Sequence, residues 1–372
     1  MDINELRKEI DSIDKEIVKL FEKRMKIVTG IAEYKLENNM EIFDKGREEV
    51  LLEKVDLYLE NKELSEYLRL FFENLMDLSK DYQKKKIKEK SPTFFFNNNK
   101  KLTIAYLGIP GSYSYEAMNN YFGENINQKN FNNFNLIFQA VENGEVDYGV
   151  IPFENSSTGA IKDNFDLIRE KNLFIVGEYL LKVDHNLLGH KDAKLEDIKE
   201  VYSHPQPFEQ SSYFLQDKNW SHFPQTSTAE SAKLVASSNN LEKGAIGSKE
   251  LSRLYNLKIL IENINNSNSN YTRFIIVSKE KEIKENANKI SIAFSTLHKA
   301  GELFGIIAEF AQRGINMLSI KSLPILEKPW EHYFYIDISG NISDSKIEEA
   351  LISIENKCNF FKMLGNYEAW EE

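Results

Sequence analysis

Arg24 stands at a position where the heptad pattern of the N-terminal region calls for an apolar side chain. It falls between Ile17 and Ile31 on a seam that also contains Ile3 and Ile10. A second seam consists of Leu6, Ile13, Leu20, Ile27 and Tyr34. The pattern predicts a long helix whose seams face a packed core, so the guanidinium is directed at surroundings that should exclude it. A charge buried there needs a partner.

Two further cations border this seam. Lys35 lies about 20° around the helix and about 16 Å along it from Arg24, so both side chains could reach one small anion. Arg7 lies about 26 Å from Arg24 along the axis, so a third cation on the same anion would have to come from another chain. The pattern also leaves open that Arg24 sets the register or oligomeric state of a coiled coil, or that it reaches solvent.

Polar residues of complementary type follow on two later predicted helices. Asp44 is placed to cap a second helix, with Arg47 and Glu48 one turn in. Ser79 and Gln83 share one face of a third helix at i, i+4 spacing. Polar groups from three helices could therefore meet around one ligand.

Residues 1–85 resemble the all-helical class of chorismate mutase, a three-helix unit that dimerises by exchanging its long first helix. The resemblance implies contacts to chorismate from Arg7 of the partner subunit, from Arg24 and Arg47 at a carboxylate, from Lys35 and Gln83 at the ether oxygen, and from Asp44, Glu48 and Ser79 at the ring hydroxyl. The predicted catalytic residues among them are Arg7, Arg24, Lys35, Glu48 and Gln83. The rearrangement of chorismate to prephenate needs no acid, base or nucleophile, so fixed cations and donors suffice.

Composition bounds the class of protein. The chain has 372 residues, of which 41% are hydrophobic and 12% aromatic, and this suits two or three globular domains. A net charge of −11 argues against nonspecific nucleic-acid binding. The single cysteine, Cys358, excludes an intrachain disulfide, the six histidines lack metal-ligand spacing, and no cofactor is predicted. No stretch approaches the roughly 20 apolar residues of a membrane span, so we expect a cytoplasmic protein.

Two polar gaps, Lys84 to Lys101 and Lys279 to Asn288, interrupt the periodic segments. They predict a multidomain chain with an all-helical domain at 1–87, a linker at 88–100, a middle domain at 101–280 and a C-terminal domain at 289–372. The middle domain alternates helical stretches with short apolar runs at 102–107, 146–151, 173–176 and 271–277. This alternation predicts an α/β domain.

Loops of small polar residues follow several of these runs, where backbone N–H groups could bind anions. They are Gly111 to Ser114, Glu154 to Gly159 and Thr226 to Thr228. Each loop taken alone is more simply explained as a helix cap or a turn, as the capping-box spacing of Ser227 and Glu230 indicates. Together with Ser203 to Phe208 and with Thr272-Arg273-Phe274, they make the middle domain similar to prephenate dehydratase.

The resemblance to prephenate dehydratase implies two α/β lobes, like a periplasmic binding protein, with the site in the cleft between them. It implies that the carboxylates and ring of prephenate are held by Asn155, Ser156, Gln210 and Arg273, with Glu154 as a supporting residue. Thr272 would be the catalytic acid, which need only protonate the leaving hydroxyl. Phe274 would be a core residue or a wall against the ring. We expect His204 to be a satisfied turn histidine, and His185 has no stronger claim to a catalytic role.

The C-terminal segment reads strand, helix, strand, strand, helix, strand, at 290–294, 303–312, 317–322, 332–338, 346–356 and 360–364. This order predicts an α+β, ferredoxin-like unit. It looks like an ACT domain, which implies that phenylalanine binds and regulates the enzyme through Gly301, Leu303 and Ser322. Glu302 replaces the small residue of the usual Gly-Ala-Leu motif. The usual Glu-Ser-Arg-Pro motif appears as Lys321-Ser322-Leu323-Pro324, so we expect weaker phenylalanine binding or altered specificity.

The leading hypothesis is a bifunctional enzyme of phenylalanine biosynthesis that converts chorismate to prephenate and then to phenylpyruvate. Its partners would be these small molecules, phenylalanine and a second copy of the chain in a homodimer or higher homo-oligomer, with no nucleic acid and no membrane. One alternative is a ligand-binding regulatory protein that uses the two-lobed cleft as a sensor. Another keeps the dehydratase but treats the helical unit as an inactive dimerisation arm.

Overall fold

The computed structural model of the protein describes residues 2–37, 51–52, 54–90, 101–282, 284–297, 299–325 and 330–370. The chain divides into two compact units, Met1–Phe95 and Phe96–Glu372. Asp44, Arg47 and Glu48 lie outside the described residues, as do the side chains of Lys35 and Gln83.

The described part of the N-terminal unit includes the long helices α1 at Ile3–Glu37 and α2 at Ser65–Lys90. A 3-10 turn at Lys62–Leu64 precedes α2, and the Asn61 side chain caps it by accepting from the Glu63 N–H at 3.1 Å. The heptad of α1 predicts one uninterrupted helix, and this is confirmed. Its seam residues remain exposed in the single chain, with Ile17 at 46% and Leu20 at 66%. The helix therefore presents an uncovered apolar face.

The second unit begins with eleven strands. In chain order they are β1 Thr103–Leu107, β2 Asn127–Phe131, β3 Tyr148–Asn155, β4 Gly159–Ala160, β5 Phe174–Lys182, β6 Asn186–Gly189, β7 Glu200–Ser203, β8 Ser221–Pro224, β9 Lys243–Gly247, β10 Lys258–Ile261 and β11 Tyr271–Ser278. The helices between them are α3 Tyr113–Phe122, α4 Phe134–Glu142, α5 Lys162–Glu170, α6 Pro205–Gln210, α7 Ser212–Leu215, α8 Thr228–Ser238 and α9 Lys249–Tyr255. The predicted alternation of strands and helices is confirmed.

These strands form two separate sheets, one for each lobe. The first has the order β2-β1-β3-β11-β5, with β4 paired to β3, and the second has the order β10-β6-β9-β7-β8. The chain therefore passes between the lobes twice, once between β5 and β6 and once between β10 and β11. Residues 183–185 and 262–270 make these crossings, so their side chains lie where both lobes can contact them.

Side-chain caps start the helices that follow the polar loops. Ser112 caps α3 by accepting from the Tyr115 N–H at 3.2 Å. Ser227 caps α8 by accepting from the Glu230 N–H at 3.1 Å. The expectation that such loops act first as helix caps is confirmed at both positions.

The C-terminal segment contains β12 Lys289–Ser295, α10 Glu302–Gln312, β13 Met317–Pro324, β14 His332–Ser339, α11 Ser345–Lys357 and β15 Phe360–Tyr367. Its sheet is antiparallel throughout, with the order β13-β14-β12-β15. The predicted βαββαβ order is therefore confirmed. Gly314, with a φ of +67°, follows the first of these helices, as expected for a residue that ends a helix.

The C-terminal sheet packs directly on the first lobe. One hydrophobic cluster contains Phe153 and Phe165 from the lobe together with Tyr335 and Tyr367 from the C-terminal sheet. The backbones also approach closely, because a Cβ on Gly365 would lie 2.0 Å from the carbonyl oxygen of Ile175. The first lobe and the C-terminal sheet therefore share one core.

Candidate active sites

In the N-terminal unit, Arg24 of α1 donates a hydrogen bond through Nη1 to the hydroxyl of Ser79 on α2. Ser79 is 4% exposed and donates in turn to the Leu75 carbonyl at 2.5 Å. Burial lowers the pKa of the Arg24 guanidinium, because burial disfavours the charged form. Among the side chains that the structure describes, no carboxylate pairs with Arg24. The pair can therefore present positive charge to an anion between two helices.

For the other predicted residues of this unit, the structure describes the whole of Arg7 but only the backbone of Lys35 and Gln83. Arg7 is exposed on α1 of the single chain. The backbone of Lys35 lies near the end of α1, and that of Gln83 lies one turn beyond Ser79 on α2. The structure therefore brings together Arg24 and Ser79, and it places Lys35 and Gln83 on the same two helices.

In the second unit, Thr272 of β11 and Asn155 of β3 face each other across the strand pair. Asn155 Nδ2 donates to Thr272 Oγ1 at 2.9 Å. The amide orientation of Asn155 is fixed, because its Oδ1 accepts from the backbone N–H groups of Ser157 at 2.9 Å and Thr158 at 3.1 Å. Thr272 is 9% exposed, and it accepts this bond while keeping its own proton. The hydroxyl is therefore available as a donor to a ligand.

A hydrogen-bonded network extends from this pair through the residues that connect the lobes. Asn155 Nδ2 donates to Asn270 Oδ1 at 2.8 Å, and Asn270 Nδ2 donates to Gln210 Oε1 at 3.1 Å. The same Gln210 oxygen is 2.8 Å from His185 Nε2, whose Nδ1 is 2.9 Å from the Tyr113 hydroxyl. Since an amide oxygen only accepts, His185 carries its proton on Nε2 and accepts from Tyr113 on Nδ1. Burial lowers the pKa of His185, which keeps the ring neutral.

One donor in this network has no partner. Gln210 Nε2 is buried, and it forms no hydrogen bond within the part of the chain described. The orientation of the Gln210 amide is set by Oε1, which already accepts from Asn270 and His185. A buried amide left without an acceptor costs free energy, so the position fits a ligand oxygen. Tyr113, His185 and Asn270 were not in the predicted site, because only the tertiary fold brings them to Gln210.

Ser156 lies at the exposed edge of the same region. Its hydroxyl donates to the Ser269 carbonyl at 2.9 Å and accepts from the Tyr271 N–H at 2.9 Å. It therefore ties the loop after β3 to the segment that leads into β11.

Glu154 and Arg273 have surroundings different from the predicted ones. They are partners across β3 and β11, one position along from Asn155 and Thr272. Because successive side chains of a strand point to opposite faces, they point away from the hydroxyl of Thr272. Arg273 is buried against Glu178 and Asp337, and Glu154 contacts Lys321 at 2.8 Å. The expected substrate contacts of both residues are therefore not available on the face that carries Thr272.

The remaining predicted residues of the middle domain have structural surroundings. Phe274 is 1% exposed, which corresponds to the core alternative. His204 caps α6 by accepting from the Gln206 N–H at 3.3 Å, as expected for a satisfied turn histidine. No group of three or more His, Cys, Asp or Glu side chains within the described ranges could hold a metal ion. Nor is any helix among these residues long and apolar enough to cross a membrane.

In the C-terminal segment, Gly301 has a φ of +89° and directly precedes α10. Leu303, in the first turn of that helix, lines a cavity of about 120 Å³ together with Leu297, Lys299 and Phe334. Ser322 lies exposed on β13.

Comparison with known proteins finds two family matches along the chain. The model of the chorismate mutase type II family matches residues 6–84, and the prephenate dehydratase model matches residues 104–282. A bifunctional chorismate mutase/prephenate dehydratase from Buchnera aphidicola subsp. Schizaphis graminum is 38% identical, covering 98% of this chain and 96% of its own.

Two solved structures resemble the second unit. The prephenate dehydratase from Arthrobacter aurescens in complex with L-Phe has a TM-score of 0.66 and 27% identity, covering 72% of this chain and 90% of its own. The quorum-quenching acylase GqqA also has a TM-score of 0.66, with 26% identity, covering 72% of this chain and 98% of its own. On the full-length match and the two family models, the chain belongs to the family of bifunctional chorismate mutase/prephenate dehydratases.

Proposed function

We propose that this chain converts chorismate to prephenate in its N-terminal helical unit and prephenate to phenylpyruvate in its two-lobed unit. The likeness to GqqA does not decide between activities, because one fold can host several. The mutase match at residues 6–84 and the full-length relative favour the two-step assignment. The domains would be 1–87 for the mutase, 101–280 for the dehydratase and 289–372 for an ACT regulatory domain, with a linker at 88–100.

The mutase step uses the cation on α1. Arg24 would hold a carboxylate of chorismate while Ser79 faces the ring hydroxyl. Lys35 and Gln83, on the same two helices, would stabilise the negative charge that grows on the ether oxygen as its bond to carbon breaks. Clamping the side chain of chorismate over the ring supplies the rest by orientation. Asp44, Arg47 and Glu48 would complete this site.

The exposed seam of α1 supports a dimer. Apolar side chains at heptad spacing along a 35-residue helix need a partner surface to be buried. A second copy of α1 would cover them, and Arg7 of the partner subunit would then reach the substrate that Arg24 binds. The mutase site would therefore be complete only in a homodimer.

The dehydratase step depends on the Thr272 hydroxyl. The observation that carries the assignment is that Oγ1 accepts a hydrogen bond from Asn155, which leaves the hydroxyl able to donate to a ligand. As the bond from the ring to the carboxylate breaks, carbon dioxide leaves and its electron pair enters the ring. The ring hydroxyl departs with the proton of Thr272 as water. Asn155, which donates to Thr272 Oγ1 at 2.9 Å, would stabilise the negative charge left on that oxygen. Solvent then returns a proton to Thr272.

Substrate oxygens would be held on the same face of the cleft. The unpartnered Nε2 of Gln210 is suited to a carboxylate or the ring hydroxyl, and Ser156 borders the opening. We do not assign Glu154 and Arg273 to prephenate, because their side chains contact the C-terminal sheet.

The C-terminal domain would bind phenylalanine. The A. aurescens relative was solved with L-Phe, and Gly301 and Leu303 keep two residues of the usual motif. Lys321 and the missing arginine of the second motif alter the expected contacts of Ser322. Calorimetric titration should therefore give weak binding or altered amino-acid specificity; no heat at all, or tight selective binding of phenylalanine, would reject this view.

The mutase assignment can be tested at Arg24. Arg24→Met should lower the conversion of chorismate by at least roughly 100-fold, since it removes a charge-assisted contact in the transition state. The conversion of prephenate should stay unchanged. Lys23→Met, at an exposed neighbouring position, is the matched control and should leave both rates unchanged. Unchanged mutase activity in the Arg24 variant would contradict the role of Arg24, and an unsubstituted chain that converts prephenate but not chorismate would favour an inactive dimerisation arm.

A further inference from the structure

The β3–β11 pair has two faces, and only one of them belongs to the cleft. Thr272 pairs with Asn155, and the next residues, Arg273 and Glu154, pair with each other. The first pair faces the hydrogen-bonded network described above. The second pair faces the C-terminal sheet. Any shift of the second pair therefore moves the backbone that carries Thr272 and Asn155.

Arg273 joins three strands through a single buried guanidinium. Its Nε donates to Glu178 on β5 at 2.7 Å, its Nη1 donates to Asp337 on β14 at 2.7 Å, and its Nη2 donates to the Tyr367 hydroxyl on β15 at 2.7 Å. All four side chains are buried. Although burial would raise the pKa of Asp337, Arg273 and Lys289 hold it below its ordinary value. The cluster is therefore charged and fixes the C-terminal sheet to β11.

Lys321 of β13 makes the second connection, to β3. Its Nζ lies 2.8 Å from Oε2 of Glu154, and both side chains are about one quarter exposed, at 26% and 27%. The opposite charges of Lys321 and Glu154 therefore attract the C-terminal sheet to the residue next to Asn155.

We propose that Arg273 and Lys321 are positioning residues for the dehydratase, through which the C-terminal sheet sets the alignment of Thr272 with Asn155. This role rests on the proposed dehydratase function. Arg273 acts from the strand that carries Thr272, and Lys321 acts through Glu154 on the strand that carries Asn155. Neither contacts the substrate. The C-terminal segment thereby contributes to the rate of prephenate conversion as well as to the binding of phenylalanine.

The test uses Lys321, because loss of the fully buried Arg273 would leave Glu178 and Asp337 unpaired and disturb folding. In the full chain, Lys321→Met should lower kcat for prephenate by roughly 3- to 30-fold, since small misplacements of catalytic groups are costly. KM should stay within about twofold, because the substrate contacts are elsewhere. Lys321→Arg should restore kcat. Lys346→Met, at an exposed position in the same unit, is the control and should have no effect.

A second variant separates charge from packing. Lys321→Glu should lower kcat further than Lys321→Met, since it places two carboxylates together; equal losses in both variants would mean that the ammonium charge has no role. A raised KM with unchanged kcat in Lys321→Met would make Lys321 a substrate contact and overturn the proposal. An unchanged kcat would reject the positioning role alone. Failure of the unsubstituted chain to convert prephenate would instead reject the dehydratase function itself.

Discussion

Replacing Thr272 with valine removes the proposed acid while keeping the shape of the side chain. The network should survive, because Asn155 Nδ2 also donates to Asn270 Oδ1 at 2.8 Å and to the Tyr271 carbonyl at 3.1 Å. The cost in unfolding free energy is therefore that of one hydrogen bond, about 1 kcal/mol. A general acid contributes roughly 100- to 10,000-fold to a rate, which corresponds to about 3–5 kcal/mol of activation free energy.

The assay follows phenylpyruvate formation from purified prephenate under saturating conditions, after subtraction of the uncatalysed rate. Thr272→Val should lower kcat within the range given above and change KM little, whereas Thr272→Ser should retain most of the activity. Thr228→Val, at a buried threonine in α8, controls for a general effect of losing a buried hydroxyl. A kcat within about threefold of the unsubstituted enzyme would refute the role of Thr272 as the acid.

Three further predictions concern Gln210 and His185 of this network and Glu116 on α3. Gln210→Leu should raise KM for prephenate by roughly tenfold or more, because it removes the unpartnered donor, and steady-state kinetics measures this. Burial lowers the pKa of His185, so on acidification the unfolded chain binds a proton at this residue before the folded chain does. The free energy of unfolding should therefore fall as the pH drops below about 6.5. Urea unfolding measures this fall, which should be smaller in His185→Asn. Burial raises the pKa of Glu116 to about 7, so the folded chain holds a proton that the unfolded chain loses nearer pH 4.5. Glu116→Gln should therefore raise unfolding free energy at pH 8 by up to about 3 kcal/mol, and an unchanged value would contradict a buried carboxyl.

The order of elements was predictable, but the ends of central strands were not. The heptad of α1 and the βαββαβ order follow from hydrophobic periodicity, which is a local property. Strands β3 and β5 extend beyond their predicted apolar runs, to Asn155 and Lys182. Their last residues include polar side chains, and pairing with β11, distant in sequence, holds them in the sheet. A local hydrophobic pattern does not indicate which distant strand will pair with these residues.

The site was predictable in part for the same reason. Resemblance to a family put Asn155, Thr272 and Gln210 into one predicted site, and one hydrogen-bonded network contains all three. Placing Arg273 beside Thr272 in the same site overlooked the alternation of side chains along a strand, a signal that the sequence did contain. His185, in a crossing between the lobes, had no comparable signal.

The central claim is that one chain carries out two consecutive reactions at separate sites. The direct test is to incubate the full-length chain with chorismate alone and to follow prephenate and phenylpyruvate over time. We expect prephenate to appear first and phenylpyruvate after a lag, with prephenate accumulating in the Thr272→Val variant at an unchanged rate of chorismate loss. Chorismate that stays unconverted while added prephenate is still consumed would contradict the claim.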